Sequence, residues 1–319
     1  MNEERTEFIK KLKNLVHFPV KALQVSENYR ENLIKENLIN LDPSFQFKSH
    51  FKRNLKLEER HSIPRSSLNL SSSLILREKN GKTAVVTYCH WQLQASIAIK
   101  LCKVGYTVFA FYDEKLLTKE SKSIFEEKYD KKIITVKYDP LDSSSLDLAY
   151  NQACSLGLSS IDVLILGPYV YFTQSSDFES SITTTKVDFF NECLQNITLP
   201  SLYVFQKFFN LVVNTKGSKI LFLSNRLSSI TENSSGKAYS SRASFAGINQ
   251  IVKSLSCELS GKVLVSVGLP GMILTGTNTQ NSNAEPSFIG AERVYNILEF
   301  MTPENSGKLI EHTLQIIDP

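Results

Sequence analysis

Two kinds of apolar run alternate along the chain from Thr83 onward. Short, β-branched stretches read as buried strands: 83–87, 106–111, 133–136, 161–166, 218–224 and 263–269. Between them lie segments of helical length and spacing, at 92–103, 118–129, 144–156, 186–210 and 241–259. In the first of these Leu93, Ile97 and Leu101 repeat at intervals of four, and Gly105 supplies a C-terminal stop. In the last, Phe245, Ile248, Val252, Leu255 and Leu259 fall on one side. Strands separated by helices pair in parallel through right-handed crossovers, so the pattern predicts an α/β fold with a doubly wound parallel sheet.

Upstream the pattern changes. Phe8, Ile9, Leu12, Leu15 and Val16 fall at helical spacing until Pro19; Tyr29–Leu41 suggests a second helix, and the serine-rich stretch 62–73, broken by Pro64, reads as a linker. Residues 1–80 therefore form a helical, basic N-terminal extension and linker, and residues 81–319 the α/β domain.

Charge follows the same division. The 319 residues carry a net charge of +4, but residues 1–80 hold 15 Lys/Arg against 10 Asp/Glu, and the remainder 21 against 22. The densest part runs from Lys48 to Arg65. Beside a plain solvated face, this points to an anionic membrane surface met through residues 1–65; no motif for nucleic acid accompanies it, so none is expected. Glu3, Glu4 and Glu7 speak against a secretory signal and a mitochondrial presequence. The longest nearly uncharged apolar stretch, 161–172, is too short to cross a bilayer. The five cysteines form no CxxC or Cys/His pattern, which argues against a metal site and a disulfide scaffold. The expectation is a reduced intracellular protein, cytoplasmic or mitochondrion-associated.

Several local strings stand in a telling order. Val85-Val86-Thr87 precede the 92–103 helix; Asp113 and Asp139 follow the second and third strands; Asn196-Ile197 sits in the long central helix. Lys253-Ser254-Leu255 closes the last helix, and Pro270-Gly271 with Thr275 follows the sixth strand. Over roughly residues 81–277 this set resembles the short-chain dehydrogenase/reductase family, and more distantly a fungal group of proteins like it, some of them mitochondrion-associated. The resemblance implies a Rossmann-like domain, an NAD(P) cofactor and pairing of its long helices in a homodimer.

The positions that carry the family's chemistry depart from its pattern. Where the family has Thr-Gly-x-x-x-Gly-x-Gly, this chain reads Thr87-Tyr88-Cys89-His90-Trp91-Gln92-Leu93-Gln94. Those glycines permit a tight turn, close approach to a pyrophosphate and close helix packing, each for want of a side chain. Where the family has Asn-Asn-Ala-Gly, Leu166-Gly167-Pro168-Tyr169 stands. The family's Tyr and the Lys four residues later map to Ser241 and Phe245, and its supporting Ser to Asn225, next to Ser224. A serine hydroxyl is a far weaker acid than a phenol of pKa about 10, and Phe brings no charge.

These departures imply a degenerate member acting as a binding or scaffolding protein, with a protein partner or a second copy of itself, and with no catalytic residue, cofactor or metal. The alternative is an atypical NAD(P)(H)-dependent oxidoreductase using Tyr239, Arg242 and Asn225. A third possibility keeps the old crevice for another ligand, with Asp113 and Thr275 at its rim; Thr87, Asp139 and Asn196 complete the crevice candidates. Asp113, Asp139 and Asp142 also suit helix caps, His90 and Asn196 suit packing and backbone bracing, and the polar stretch 224–242 reads as a mobile loop.

Overall fold

The computed structural model describes residues 81–117, 132–168, 179–273 and 284–319. The expectations for residues 1–80, for a helix at 118–129 and for Tyr169 and Thr275 lie outside the described residues. Eight strands form one sheet: β1 (Thr83–Val86), β2 (Thr107–Tyr112), β3 (Ile133–Lys137), β4 (Val163–Leu166), β5 (Lys219–Leu223), β6 (Leu264–Leu269), β7 (Leu309–Glu311) and β8 (Ile316–Ile317). Their order is β3-β2-β1-β4-β5-β6-β7-β8, all parallel except the last pair. The helices are α1 (Gln92–Lys103), α2 (Ser143–Ser155), α3 (Val187–Cys193), α4 (Leu199–Val213), α5 (Tyr239–Glu258) and α6 (Ser287–Phe300). This is the predicted doubly wound α/β fold.

Alternation along the strands builds two cores. Ala84 and Val86 of β1 face the layer of α1 and α6, whose Leu93, Ile97, Val294 and Ile297 are fully buried there. Val85, between them, faces the layer of α2, α4 and α5, with Phe208, Ile248 and Val252. At α6, Gly290 is what lets the helix settle: a Cβ there would lie 2.6 Å from Leu93 Cδ1.

Three expectations change. The stretch 186–210 is two helices joined by a π-helical turn, Leu194–Thr198. Pro200 explains it: without an N–H it cannot bond back to the carbonyl of Asn196, and the Leu199 amide reaches Leu194 O instead. The last long helix begins at Tyr239 rather than 241, shortening the polar loop, part of which (Arg226–Ser228) is a 3₁₀ turn. Beyond β6 the chain adds α6, β7 and β8, which the apolar pattern left unassigned because both strands are very short.

Candidate functional site

The sheet order reverses between β1 and β4, and the gap beyond their carboxyl ends is where doubly wound folds place ligands. Thr87 ties the two loops together. Its hydroxyl donates to Ile165 O (3.1 Å) and accepts from the Gly167 amide (3.3 Å). The next residue, Tyr88, has φ +58, the left-handed conformation that the expected glycine would adopt freely. The turn therefore keeps its shape at a cost of about 1–2 kcal/mol for a residue with a Cβ. The Trp91 amide bonds back to Tyr88 O (3.0 Å), and α1 starts one residue later without a side-chain cap.

Every side chain of this loop from 87 to 90 is buried, as is Gln94. Gln94 and Tyr88 meet over Gly167: a Cβ on that glycine would lie 2.5 Å from Gln94 Nε2 and 3.5 Å from Tyr88 Cδ2. Gly167 O in turn accepts from Ser201 Oγ (2.8 Å). Burial also pushes the Cys89 thiol well above its usual pKa, leaving it an inert, protonated packing group. The His90 imidazole accepts the Asp113 amide on Nδ1 (3.2 Å) and packs against Trp91, so it is a core histidine.

Asp113 and Asp142 cap helical turns, and Asp139 braces the turn before α2 and pairs with Lys115 (3.2 Å). Asp113 accepts from the Lys115 amide (2.9 Å), Asp139 from the Leu141 amide (3.0 Å) and Asp142 from the Ser144 amide (2.9 Å). The Ser144 hydroxyl, then the amides of Ser144 and Ser145, hold the Asp142 carboxyl below the usual carboxylate range. Tyr138, just before Asp139, was not singled out by the sequence. Its ring packs on Tyr88 (centroids 5.9 Å apart) and edge-on against Phe111 (5.5 Å). Burial, with the Tyr88 hydroxyl beside it, raises its pKa well above that of a free phenol.

At α5, Ser241 and Phe245 are both buried in the helix face, Phe245 within the hydrophobic core. Ser241 Oγ lies 4.0 Å from the Cys193 thiol, whose pKa burial pushes up to about 11. Thr198, in the π turn, donates to Ser244 O (2.7 Å); Asn196 is half-buried in the same turn. The trio Tyr239, Arg242 and Asn225 is not brought into one constellation by the described bonds. Arg242 reaches back over the loop before the helix, to the carbonyls of Gly236 (3.2 Å) and Lys237 (3.1 Å) and to Ser235 Oγ (3.0 Å). Gly236, Lys237 and Ala238 all have positive φ, so Arg242 clamps a strained turn. Asn225 Oδ1 accepts the Leu227 amide (2.9 Å) and caps the 3₁₀ turn. Tyr239 is half-buried at the first turn of α5.

Glu179, which no sequence pattern marks, caps α5 from outside. Its carboxylate accepts from the Ser240 amide (3.1 Å) and the Ser240 hydroxyl, while its carbonyl accepts from the Ala238 amide (2.9 Å). The residue in the N-cap position, Ala238, has no side chain for that role.

At the end of β6, Gly271 (φ +88) turns the chain under Arg293 and His312; a Cβ there would lie 2.9 Å from the Arg293 Nη1 and 3.3 Å from His312 Nδ1. Arg293 pairs with Glu285 (2.5 Å). Burial, and then the charge of Arg293, lowers the His312 pKa below the usual value. Among the described residues no group of three or more His, Cys, Asp or Glu is placed to hold a metal ion, and no helix is long and apolar enough to cross a membrane.

The strand order, the switch-point loop and the Pro-Gly turn define a short-chain dehydrogenase/reductase-like Rossmann fold, and solved structures agree. The NADPH-bound carbonyl reductase from chicken fatty liver superposes with a TM-score of 0.66 at 14% identity, covering 75% of this chain and 95% of that one. The carbonyl reductase Sniffer of D. melanogaster gives 0.65 at 15%, covering 75% and 100%. A short-chain dehydrogenase/reductase from Burkholderia multivorans with bound NADP gives 0.63 at 16%, covering 75% and 99%. No protein-family model matches the sequence, and comparison with curated proteins gives no match.

Proposed function

We propose that this chain is a short-chain-dehydrogenase-like pseudoenzyme that acts by binding, to a protein partner or a second copy of itself, and not by hydride transfer. One observation carries the reading: Tyr88 and Gln94 pack over Gly167, between the two loops that in this fold frame a diphosphate. A dinucleotide in the usual pose of this fold calls for bare backbone at positions that here carry Tyr88 and Gln94. The residues present do not fit the cofactor in its usual pose. The state of α5 supports the same reading. Ser241 and Phe245, where an acid/base and its cation are needed, are packed into the interior, and Arg242 is engaged with its own loop.

A second reading, an atypical NAD(P)(H)-dependent oxidoreductase using Tyr239 and Arg242, is favoured by the solved structures of this fold with NADPH or NADP bound. Calorimetric titration of the full chain with NADH and NADPH separates the two. The pseudoenzyme reading predicts no saturable heat up to millimolar coenzyme. Micromolar binding overturns it, and reductase turnover abolished by Tyr239→Phe would establish the second.

A further inference from the structure

Helix α5 runs for 20 residues and opens without a cap of its own. A helix of that length leaves orphan amides and a partial positive charge at its first turn, and both call for an anion. The chain just before it supplies none. Gly236, Lys237 and Ala238 have positive φ, and Ala238, in the N-cap position, carries no polar side chain.

A carboxylate from a distant segment fills the place. Glu179 Oε1 accepts from the Ser240 amide (3.1 Å) and from the Ser240 hydroxyl. Glu179 is only 9% exposed, and its second oxygen, Oε2, is buried without a hydrogen-bond partner. A buried carboxylate with one oxygen unserved is held less firmly than one fully hydrogen-bonded, so a solute ion can contest its position. The charged groups nearby do not forbid a second anion. Lys237 is exposed just before the helix, and Arg242 lies over the carbonyls of Gly236 and Lys237. Against them stands Glu192 of α3, exposed, whose charge reaches Cys193 together with that of Glu179.

We propose that the amino terminus of α5 is a binding site for a short carboxylate, with Glu179 as its resident competitor. Ser240 is fully covered while Glu179 is in place, and withdrawal of that one side chain uncovers it. The solute's carboxylate then takes up the Ser240 amide and hydroxyl as Glu179 does, and the Glu179 carboxylate turns out to water. The vacated space is that of Cγ, Cδ and two oxygens, the heavy atoms of acetate, so formate and acetate fit and a branched acid does not. The site holds whichever reading of the coenzyme proves right.

Chemical rescue of the full chain carrying Glu179→Ala tests it, with sodium acetate, trimethylacetate and chloride at equal concentration and neutral pH. Acetate should raise the Tm of this variant saturably and well beyond chloride, whereas trimethylacetate should do no more than chloride. By calorimetry, acetate should bind the variant at least tenfold more tightly than it binds the unaltered chain, where Glu179 competes. Ser240→Ala added to the variant should abolish the difference between acetate and chloride. Equal effects of acetate and chloride, or equal affinity of the variant and the unaltered chain for acetate, overturn the proposal. If Glu179→Ala does not stay folded, its refolding yield in acetate against chloride decides: recovery in acetate alone supports the site, and equal yields refute it.

Discussion

Gln94 and Gly167 are shaped to each other: the buried amide of Gln94 occupies the ground over Gly167 that a Cβ would take, 2.5 Å from its nitrogen. In the fold family that the sequence resembles, the small residue belongs at the Gln94 position. Here the bulk sits on the α1 side of the switch point and the glycine on the β4 side. Gly167 is held in place from both directions, its amide on Thr87 and its carbonyl on Ser201, so backbone movement offers little relief.

That pairing gives the first prediction. Gly167→Ala should destabilise the domain by about 1–3 kcal/mol through overpacking. In a Gln94→Ala background the same change should cost less than half as much. A double-mutant cycle by urea denaturation measures the coupling; additive effects would show that the two residues do not meet.

Glu179 is expected to support α5 as its missing cap. Glu179→Ala should cost about 1–2 kcal/mol, whereas Glu179→Gln keeps an oxygen for the Ser240 amide and should lose less than half of that. Thermal unfolding of the two variants checks the order, and equal losses would mean that the effect lies in packing alone.

Arg242 separates a clamp from a catalytic cation. Arg242→Met should speed limited proteolysis at residues 235–238, because three positive-φ residues lose the guanidinium that their loop is folded around. An unchanged cleavage rate there would refute the clamp.

His312 predicts a pH response. Its folded pKa lies below the ordinary value of 6.5 because burial, then Arg293, penalises the imidazolium. The unfolded chain therefore binds the proton more readily. The stability tied to His312 is complete above pH 6.5 and declines as pH falls toward the folded pKa. His312→Gln should flatten the stability profile between pH 7 and 5, read as the denaturation midpoint at each pH. A slope identical to that of the unaltered chain would exclude the histidine as its source.

Much of the architecture was legible because burial leaves a period in the sequence. The bounds of helix α1 follow from the sequence, since Leu93, Ile97 and Leu101 keep one face inward. The caps at Asp113 and Asp142 are legible from residue type alone, whereas Asp139, of the same type, serves a turn and an ion pair instead. The rest depended on three-dimensional partners. Nothing about Glu179 announces that it will cap a helix starting some sixty residues later, and nothing about Arg242 tells which way its guanidinium turns. The π turn at Leu194–Thr198 was readable in principle from Pro200, whose missing donor falls opposite Asn196. The left-handed Tyr88 could be found only by taking the glycine pattern as a statement about backbone, since the side chain itself argues against that conformation.

The two-residue β8, running against its neighbour, has a consequence for behaviour at high concentration. A long bare margin would offer rows of amides and carbonyls for another molecule to zip onto. Among the described residues this side of the sheet finishes on a two-residue hairpin stub, which offers few free amides and carbonyls for strand addition.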